Sequence, residues 1–344
     1  MSARLVARRQ ELAFRTQYAE LKERVLGAGR LLAGTPGSLA LRAGSGQPHW
    51  YRVFYPFPGK QSEEHVCRDG DRATLEAMRE RIELSEWVSR QISALRKLGF
   101  QVADKPSARV LVELHNRGAF AAGLVLVGTL SFMAWLNELG VVAVAARTQD
   151  IDLARLDPLD LDLPLELLPA LQSTGLRFHA VPGWSSKSPP TSAKLPGAHG
   201  LRVDVLCAGR HLGKVAALAD LGWAGQVVPH FDYLLEEPSD AAVLAGGHCV
   251  PVRVPHAGRW VWHKLYSSTQ RRAFPEKATK DRQQALTLAV MLADDDPDAL
   301  TVAAAEAPRA MMAAVRPLSG ALAKELAGQK SAAELLRACL SSRR

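Results

Sequence analysis

Leu124-Val-Leu-Val-Gly-Thr-Leu-Ser-Phe-Met133 and Ala146-Arg-Thr-Gln-Asp-Ile-Asp-Leu153 set the expectation for everything around them. The apolar run Leu124 to Val127 stops at Gly128-Thr129 and gives way to an amphipathic segment, Phe132 to Leu139. That pattern predicts a strand, a tight turn and a helix. The second segment reads as a strand carrying Asp150-Ile-Asp152. Side chains alternate along a strand with period two, so both carboxylates point to one face and Ile151 points into a core. Two carboxylates on one face suit one or two hard cations.

A third acid follows in Leu201-Arg-Val-Asp-Val-Leu206, where Asp204 lies opposite its valine neighbours. If this strand pairs beside the Asp150/Asp152 strand, three carboxylates meet at one spot. Such a cluster is costly unless cations neutralise it, and Mg²⁺ or Mn²⁺ bridging to phosphates is the expected filling. In the turn, Gly128 lets the backbone approach a phosphate, and the Thr129 hydroxyl and nearby N–H groups can bond its oxygens. The following helix points its positive end at the anion. Thr129 also fits a helix N-cap, and Ser131 can assist either job. Arg147 has two readings, a substrate contact or an ion pair with Asp150.

Gly128-Thr129, Asp150-x-Asp152 and Asp204, in that order, resemble the motif series of the nucleotidyltransferase superfamily, whose fold is polymerase-beta-like. Within it the chain looks most like bacterial families related to the abortive-infection type E toxin nucleotidyltransferases. Thr129 departs from the usual Ser or Gly, and Ala193 from the usual aromatic. Trp260-Val-Trp-His-Lys-Leu265 resembles the family's His-Lys-Leu helix, and Lys280-Asp281-Arg-Gln-Gln-Ala285 its Lys-Asp-x-x-Gln-Ala segment. The resemblance implies metal-dependent transfer of NMP from an NTP to an acceptor hydroxyl. Asp150, Asp152 and Asp204 would hold the metal, and Gly128, Thr129, Ser131 and Arg147 would bind substrate. Lys264 would reach the triphosphate, with Asp281 orienting it. A cation opposite the metals is physically sensible, because the leaving pyrophosphate needs one.

The 344 residues allow two or three domains, and 47% hydrophobic with 23% charged residues is an ordinary soluble composition. No apolar run approaches the roughly 20 residues of a membrane span. The charged N-terminus has no apolar signal core, and the four scattered cysteines have no CxxC spacing, so a cytoplasmic protein with reduced thiols is expected. The net charge of +8 suits a polyanionic partner, an NTP and an RNA or tRNA acceptor. Other readings stay open: nucleotidylation of a protein or small molecule, or an inactive nucleotide-binding module. Toxin-like families also imply an antitoxin partner.

The expected fold is an α/β (α+β) nucleotidyltransferase core with a mixed sheet over residues 100–210. A helical and hairpin extension precedes it (1–99) and a helical domain follows (211–344). The extension reads as a helix over 1–27, an aromatic hairpin over 49–60, and a helix over 69–98 capped by Asp71 or Thr74. The hairpin's Trp and Tyr either stack on bases or pack against the body. In the core, residues 108–115 read as helix, 156–171 as a loop with a short helix, and 176–181 as a strand. Lys277, Lys280, Arg271 and Arg272 form a basic patch, and His263 reads as packed or exposed rather than a ligand. The break at Asp294-Asp-Asp296 leads into a small Ala-rich bundle.

Overall fold

The protein was analysed as a computed structural model, which describes residues 7–43, 46–57, 59–143, 148–182 and 188–341. The first helix, α1, is Leu12–Leu26, shorter than the periodicity predicts. It buries Tyr18, Leu21 and Val25, and Leu12 is solvent-exposed. Ahead of it Ala7–Arg9 is a strand, β1, whose partner lies far along the chain. A meander follows: β2 (Ser38–Arg42), β3 (His49–Phe57) and β4 (Lys60–Arg68), paired antiparallel. It adds a strand to the expected hairpin. Arg52, only 1% exposed, holds it together, pairing with Glu64 at 2.7 Å and donating to the carbonyls of Ala33, Thr35 and Pro36.

Asp71 caps α2 (Arg72–Lys97) by accepting from the Thr74 amide, and Asp104 caps α3 (Lys105–Asn116) through the Ser107 amide. The core continues with β5 (Val125–Val127), α4 (Gly128–Glu138), β6 (Val141–Ala143), β7 (Asp150–Arg155) and α5 (Leu167–Ser173). Then come β8 (His179–Val181), β9 (Ser192–Lys194), β10 (Arg202–Ala208), β11 (Val215–Leu218) and β12 (Trp223–Val228). The short α6 (Phe231–Leu235) leads to a hairpin, β13 (Ser239–Ala245) and β14 (His248–Val254). The distant partner of β1 is β6, paired antiparallel.

The main sheet runs β11-β12-β10-β7-β5, with β9 also on β10 and β8 on β9. It is mixed, because β10 is parallel to β7 and β12 while the other pairs are antiparallel. The sheet therefore does not stop at residue 210. Residues 211–254 form four further strands where a helical domain was expected. Two of them lengthen the sheet, and β13–β14 packs against α3 and α4. Val250 to Pro255, largely in β14, reads as a short β-like run in the sequence; β11 and β13 are hidden because their alanines carry little β signal.

Helices take over from α7 (Ala257–Gln270), followed by α8 (Pro275–Asp295), α9 (Pro297–Glu306), α10 (Arg309–Val315), α11 (Ser319–Glu325) and α12 (Lys330–Ser341). Ile151, Leu153, Val203 and Val205 point to one face of the sheet, into a core shared with α3, α5 and the β13–β14 hairpin. Ala154, Leu206 and Ala208 point to the other face, under α4 and the C-terminal helices. At one end of that second face Asp150 is exposed and Asp152 and Asp204 are partly exposed. A Cβ on Gly258 of α7 would lie 1.9 Å from the Ala299 carbonyl oxygen of α9. Gly258→Ala is expected to cost about 2–3 kcal/mol by forcing two backbones apart, read as a lowered urea midpoint at unchanged m-value.

Candidate active site

Register places the acids. Asp204 of β10 pairs directly with Asp152 of β7, Arg202 pairs with Asp150, and Val127 of β5 pairs with Asp152 on its other side. Residues directly opposite across a ladder share a face. One sheet end therefore displays Asp150 and Asp152 on β7 beside Arg202 and Asp204 on β10. The row continues onto β9, where Ser192 pairs with Asp204 and Lys194 with Arg202, and onto β8, where His179 pairs with Lys194.

Gly128 opens α4 at φ +69°, and a Cβ built there would lie 1.9 Å from Asp152 Oδ2. The turn is thus closed against the carboxylate itself. No side-chain cap hydrogen bond is made at this end of α4, so Thr129, the second helical residue and nearly buried, is not the N-cap. Ser131 also departs from expectation. It is fully buried, donates to the Gly128 carbonyl at 2.9 Å, and accepts from the Trp260 indole at 2.9 Å. Its hydroxyl ties α4 to α7 and is not available to a phosphate. Phe132 stacks on Trp260 at 5.6 Å and completes that junction. Arg147 lies outside the described residues.

One turn after Trp260, Lys264 Nζ donates to Asp281 Oδ1 at 2.8 Å. Asp281, on α8, is 3% exposed, and Arg271 Nε approaches its other oxygen at 2.7 Å. One buried carboxylate therefore gathers two cations and aims them at the open sheet end. Their charges act on Asp152. Burial, then Asp204 and Asp150, push Asp152 up to about 7, while Lys264 and Arg271 pull it down. Burial and then Lys264 hold the Lys280 ammonium below its ordinary range, and Asp281, Asp150 and Asp152 act against that. Asp281→Ala would leave Lys264 and Arg271 unpaired beside apolar helices. A loss of about 3 kcal/mol is expected, with a raised KM for NTP, measured by chemical denaturation and initial rates.

Oxygen-only donors on adjacent strands fit a hard divalent cation, and Asp204 and Asp150 add to burial in raising Asp152. Among the described residues, however, no three acidic, His or Cys side chains are assembled as they stand to hold a metal ion. One oxygen of Asp204 is already engaged: its Oδ1 accepts from Arg202 Nε at 2.7 Å and from the Ser192 hydroxyl.

A nucleotidyltransferase family model matches residues 105–309, more than half of the chain. The chain belongs to the nucleotidyltransferases. The match begins with α3 and ends at the start of α10, so the Gly128 turn, the three aspartates, Lys264 and Asp281 all fall inside it. No curated protein and no solved structure gives a significant match. Transfer of a nucleotidyl group, with an NTP as donor, is therefore the general activity of this nucleotidyltransferase. Among the described residues no helix is long and apolar enough to cross a membrane.

Several residues of this nucleotidyltransferase site had no separate place in the sequence reading. Within the basic patch, Arg271 and Lys280 interact electrostatically with the acids, whereas Lys277 is exposed and lies over the Phe274 ring and Arg272 is exposed. Arg202 and Ser192 were not singled out. The available signal for Arg202 was its position two residues before Asp204, which puts both on one face of a strand. His263 is packed, 4% exposed, with burial holding its imidazole down at about 4, so it is neutral.

Proposed function

We propose that this protein is a metal-dependent nucleotidyltransferase of polymerase-beta-like fold that moves NMP from an NTP to a hydroxyl of RNA. The register that sets Asp152 against Asp204, beside the Gly128 turn and opposite Lys264, carries the reading. Bound Mg²⁺ or Mn²⁺ would supply charge neutralisation and polarise the α-phosphate. Asp150, Asp152 and Asp204 would be its ligands. The amides of Gly128 and Thr129 at the start of α4 donate to the β and γ oxygens. Lys264, held by Asp281, neutralises the departing pyrophosphate. Asp204 accepts the proton of the attacking hydroxyl.

An RNA acceptor is favoured over a protein or small molecule by the row leading away from Asp150. Arg202, Lys194 and His179 lie on consecutive strands and one face, and none of the three is buried. Adjacent strands are about 4.8 Å apart, so the row spans roughly 10 Å of accessible surface carrying Lys194 and the partly exposed Arg202, enough to hold a phosphodiester backbone at its end. The resemblance to abortive-infection type E enzymes extends this reading to a cytoplasmic, toxin-like role with tRNA as acceptor and an antitoxin as partner. The three-part division is kept, with the core carried past residue 210 to Val254.

The test incubates purified protein with Mg²⁺ and each α-³²P-labelled NTP, with total RNA and separately with lysate protein. Asp150→Ala/Asp152→Ala is the control. Label on RNA that disappears in the control supports the proposal and names the nucleotide. Label on protein moves the acceptor, and no label with no metal-dependent NTP binding leaves only a binding module.

A further inference from the structure

We infer that the cavity enclosed by the meander, α2, the start of α3 and the β13–β14 turn is a second ligand site, apart from the catalytic acids, and that it takes a nucleoside monophosphate. It measures about 720 Å³, within the range of small-molecule pockets. None of the catalytic acids or their cations lines it, and the part built by Gly34 to Asp104 precedes the family-matched residues. The inference does not depend on the metal-dependent reading above.

The walls of this cavity are fastened to one another. The Gly246 amide donates to the Ala103 carbonyl at 3.1 Å, and a Cβ on Gly246 would lie 2.8 Å from Lys105 Cα, so the β13–β14 turn is pressed onto the start of α3. A Cβ on Gly247 would lie 3.2 Å from Ser89 Oγ, so the same turn touches α2. On the meander side, the Thr35 amide donates to the Tyr55 carbonyl at 3.0 Å, and the Tyr55 amide donates to the Thr35 hydroxyl at 2.9 Å. Arg109 joins the meander to α3: its guanidinium lies 4.8 Å from the Phe57 ring centroid and donates to the Thr174 carbonyl.

Charge and ring chemistry name the occupant. Arg96, Lys105 and Arg109 are cations of the lining, burial holds the His248 imidazole below its ordinary range and so neutral, and Asp104 is the one acid among the lining residues. Asp104 is committed to capping α3, accepting from the Ser107 amide at 2.8 Å. The surplus of two positive charges matches a phosphate monoester, which carries about −1.5 to −2 at neutral pH. Arg96 and Lys105 are exposed and form no ion pair among the described residues, so both are available to that phosphate. Arg109 covers the Phe57 ring, whereas Tyr55 is 47% exposed and offers a ring face on which a base can stack. Ser85, Ser89 and Ser93 recur every four residues on α2, and none bonds back to a helix carbonyl. Their hydroxyls serve as donors and acceptors for the ribose and the base edge.

The experiment titrates the whole protein by isothermal calorimetry with AMP, GMP, CMP and UMP, and separately with inorganic phosphate and a pentauridylate. EDTA is present throughout and keeps divalent cations out of the carboxylate site. Wild type is compared with Arg96→Ala/Lys105→Ala, Tyr55→Ala and Asp150→Ala/Asp152→Ala, each checked for fold by its urea midpoint. One nucleoside monophosphate per chain is expected, with inorganic phosphate binding about tenfold more weakly because it lacks the ring. Arg96→Ala/Lys105→Ala should weaken nucleotide binding about 30- to 100-fold and Tyr55→Ala about tenfold, while Asp150→Ala/Asp152→Ala should leave it unchanged. No binding to wild type at millimolar nucleotide overturns the site, as does binding that survives Arg96→Ala/Lys105→Ala. Inorganic phosphate binding as tightly as AMP overturns the nucleotide assignment. A pentauridylate that binds where no mononucleotide does overturns the free nucleotide as occupant and makes the cavity an RNA contact.

Discussion

Asp152→Asn is expected to abolish nucleotidyl transfer while making the unliganded protein more stable. The carboxylate sits between Val127 and Asp204 in the sheet, and burial with two neighbouring acids raises it to about 7. The sign follows from proton linkage. Between the ordinary carboxylate range and about 7, the folded protein holds a proton that the unfolded chain has lost. Stability from this group is therefore full below about pH 4, falls as pH rises, and is fully lost above about 7. The shift corresponds to a few kcal/mol at most, on the order of 2–4, since some solvent reaches the group. Asparagine keeps the shape and never ionises, so its melting temperature at pH 8 should exceed wild type, with the gap closing at pH 4. Activity should drop about 10³-fold or more, because the proposed metal loses its central ligand. Paired thermal melts at the two pH values and single-turnover transfer assays check both halves. A variant that loses stability and activity together would make Asp152 an ordinary structural carboxylate.

The second large effect is expected at Gly128. Any side chain there must adopt φ +69°, and its Cβ must occupy the space of Asp152 Oδ2, 1.9 Å away. The left-handed backbone costs an alanine about 1–2 kcal/mol. The clash is relieved only by turning the Asp152 carboxylate away, which removes it from Asp204 and from the start of α4. Gly128→Ala should therefore lose about 10²–10³-fold in rate, a 1 Å misplacement at a reacting centre being enough. Stability should fall by no more than the backbone term. Steady-state kinetics against urea denaturation separates the two. Full activity in Gly128→Ala would show that the turn tolerates a methyl group and that its closeness to Asp152 has no functional meaning.

Both expectations start from residues visible in the sequence, but they differ in how much was legible. That Asp150 and Asp152 share a face could be read from alternation, since period two is a property of one strand; that Asp204 joins them was decided by the β7–β10 register. Gly128 was legible as a special turn, yet as an approach to phosphate; that it abuts Asp152 depends on the β5–β7 register. Thr129 and Ser131 show the limit more sharply. A hydroxyl two or three residues into a helix looks the same in sequence whether it faces a ligand or another helix. The Trp260 indole, 129 residues away, decided it for Ser131. Val250 to Pro255 reads as β-like and lies largely in β14, whereas β11 and β13 escape the sequence because their alanines carry little pattern, and β1 because its pairing energy comes from β6, more than 130 residues on.

What the sequence by itself determined is the set of candidate carboxylates, the order in which they occur and the side-chain alternation along each strand. These follow from local geometry that three to six residues suffice to define. Only the tertiary structure decided which cations answer them. Asp281 collects Lys264 and Arg271 from another helix, and Arg202 chooses Asp204 over Asp150. Coulomb interactions depend on distance through space and on burial, and neither is a function of separation along the chain.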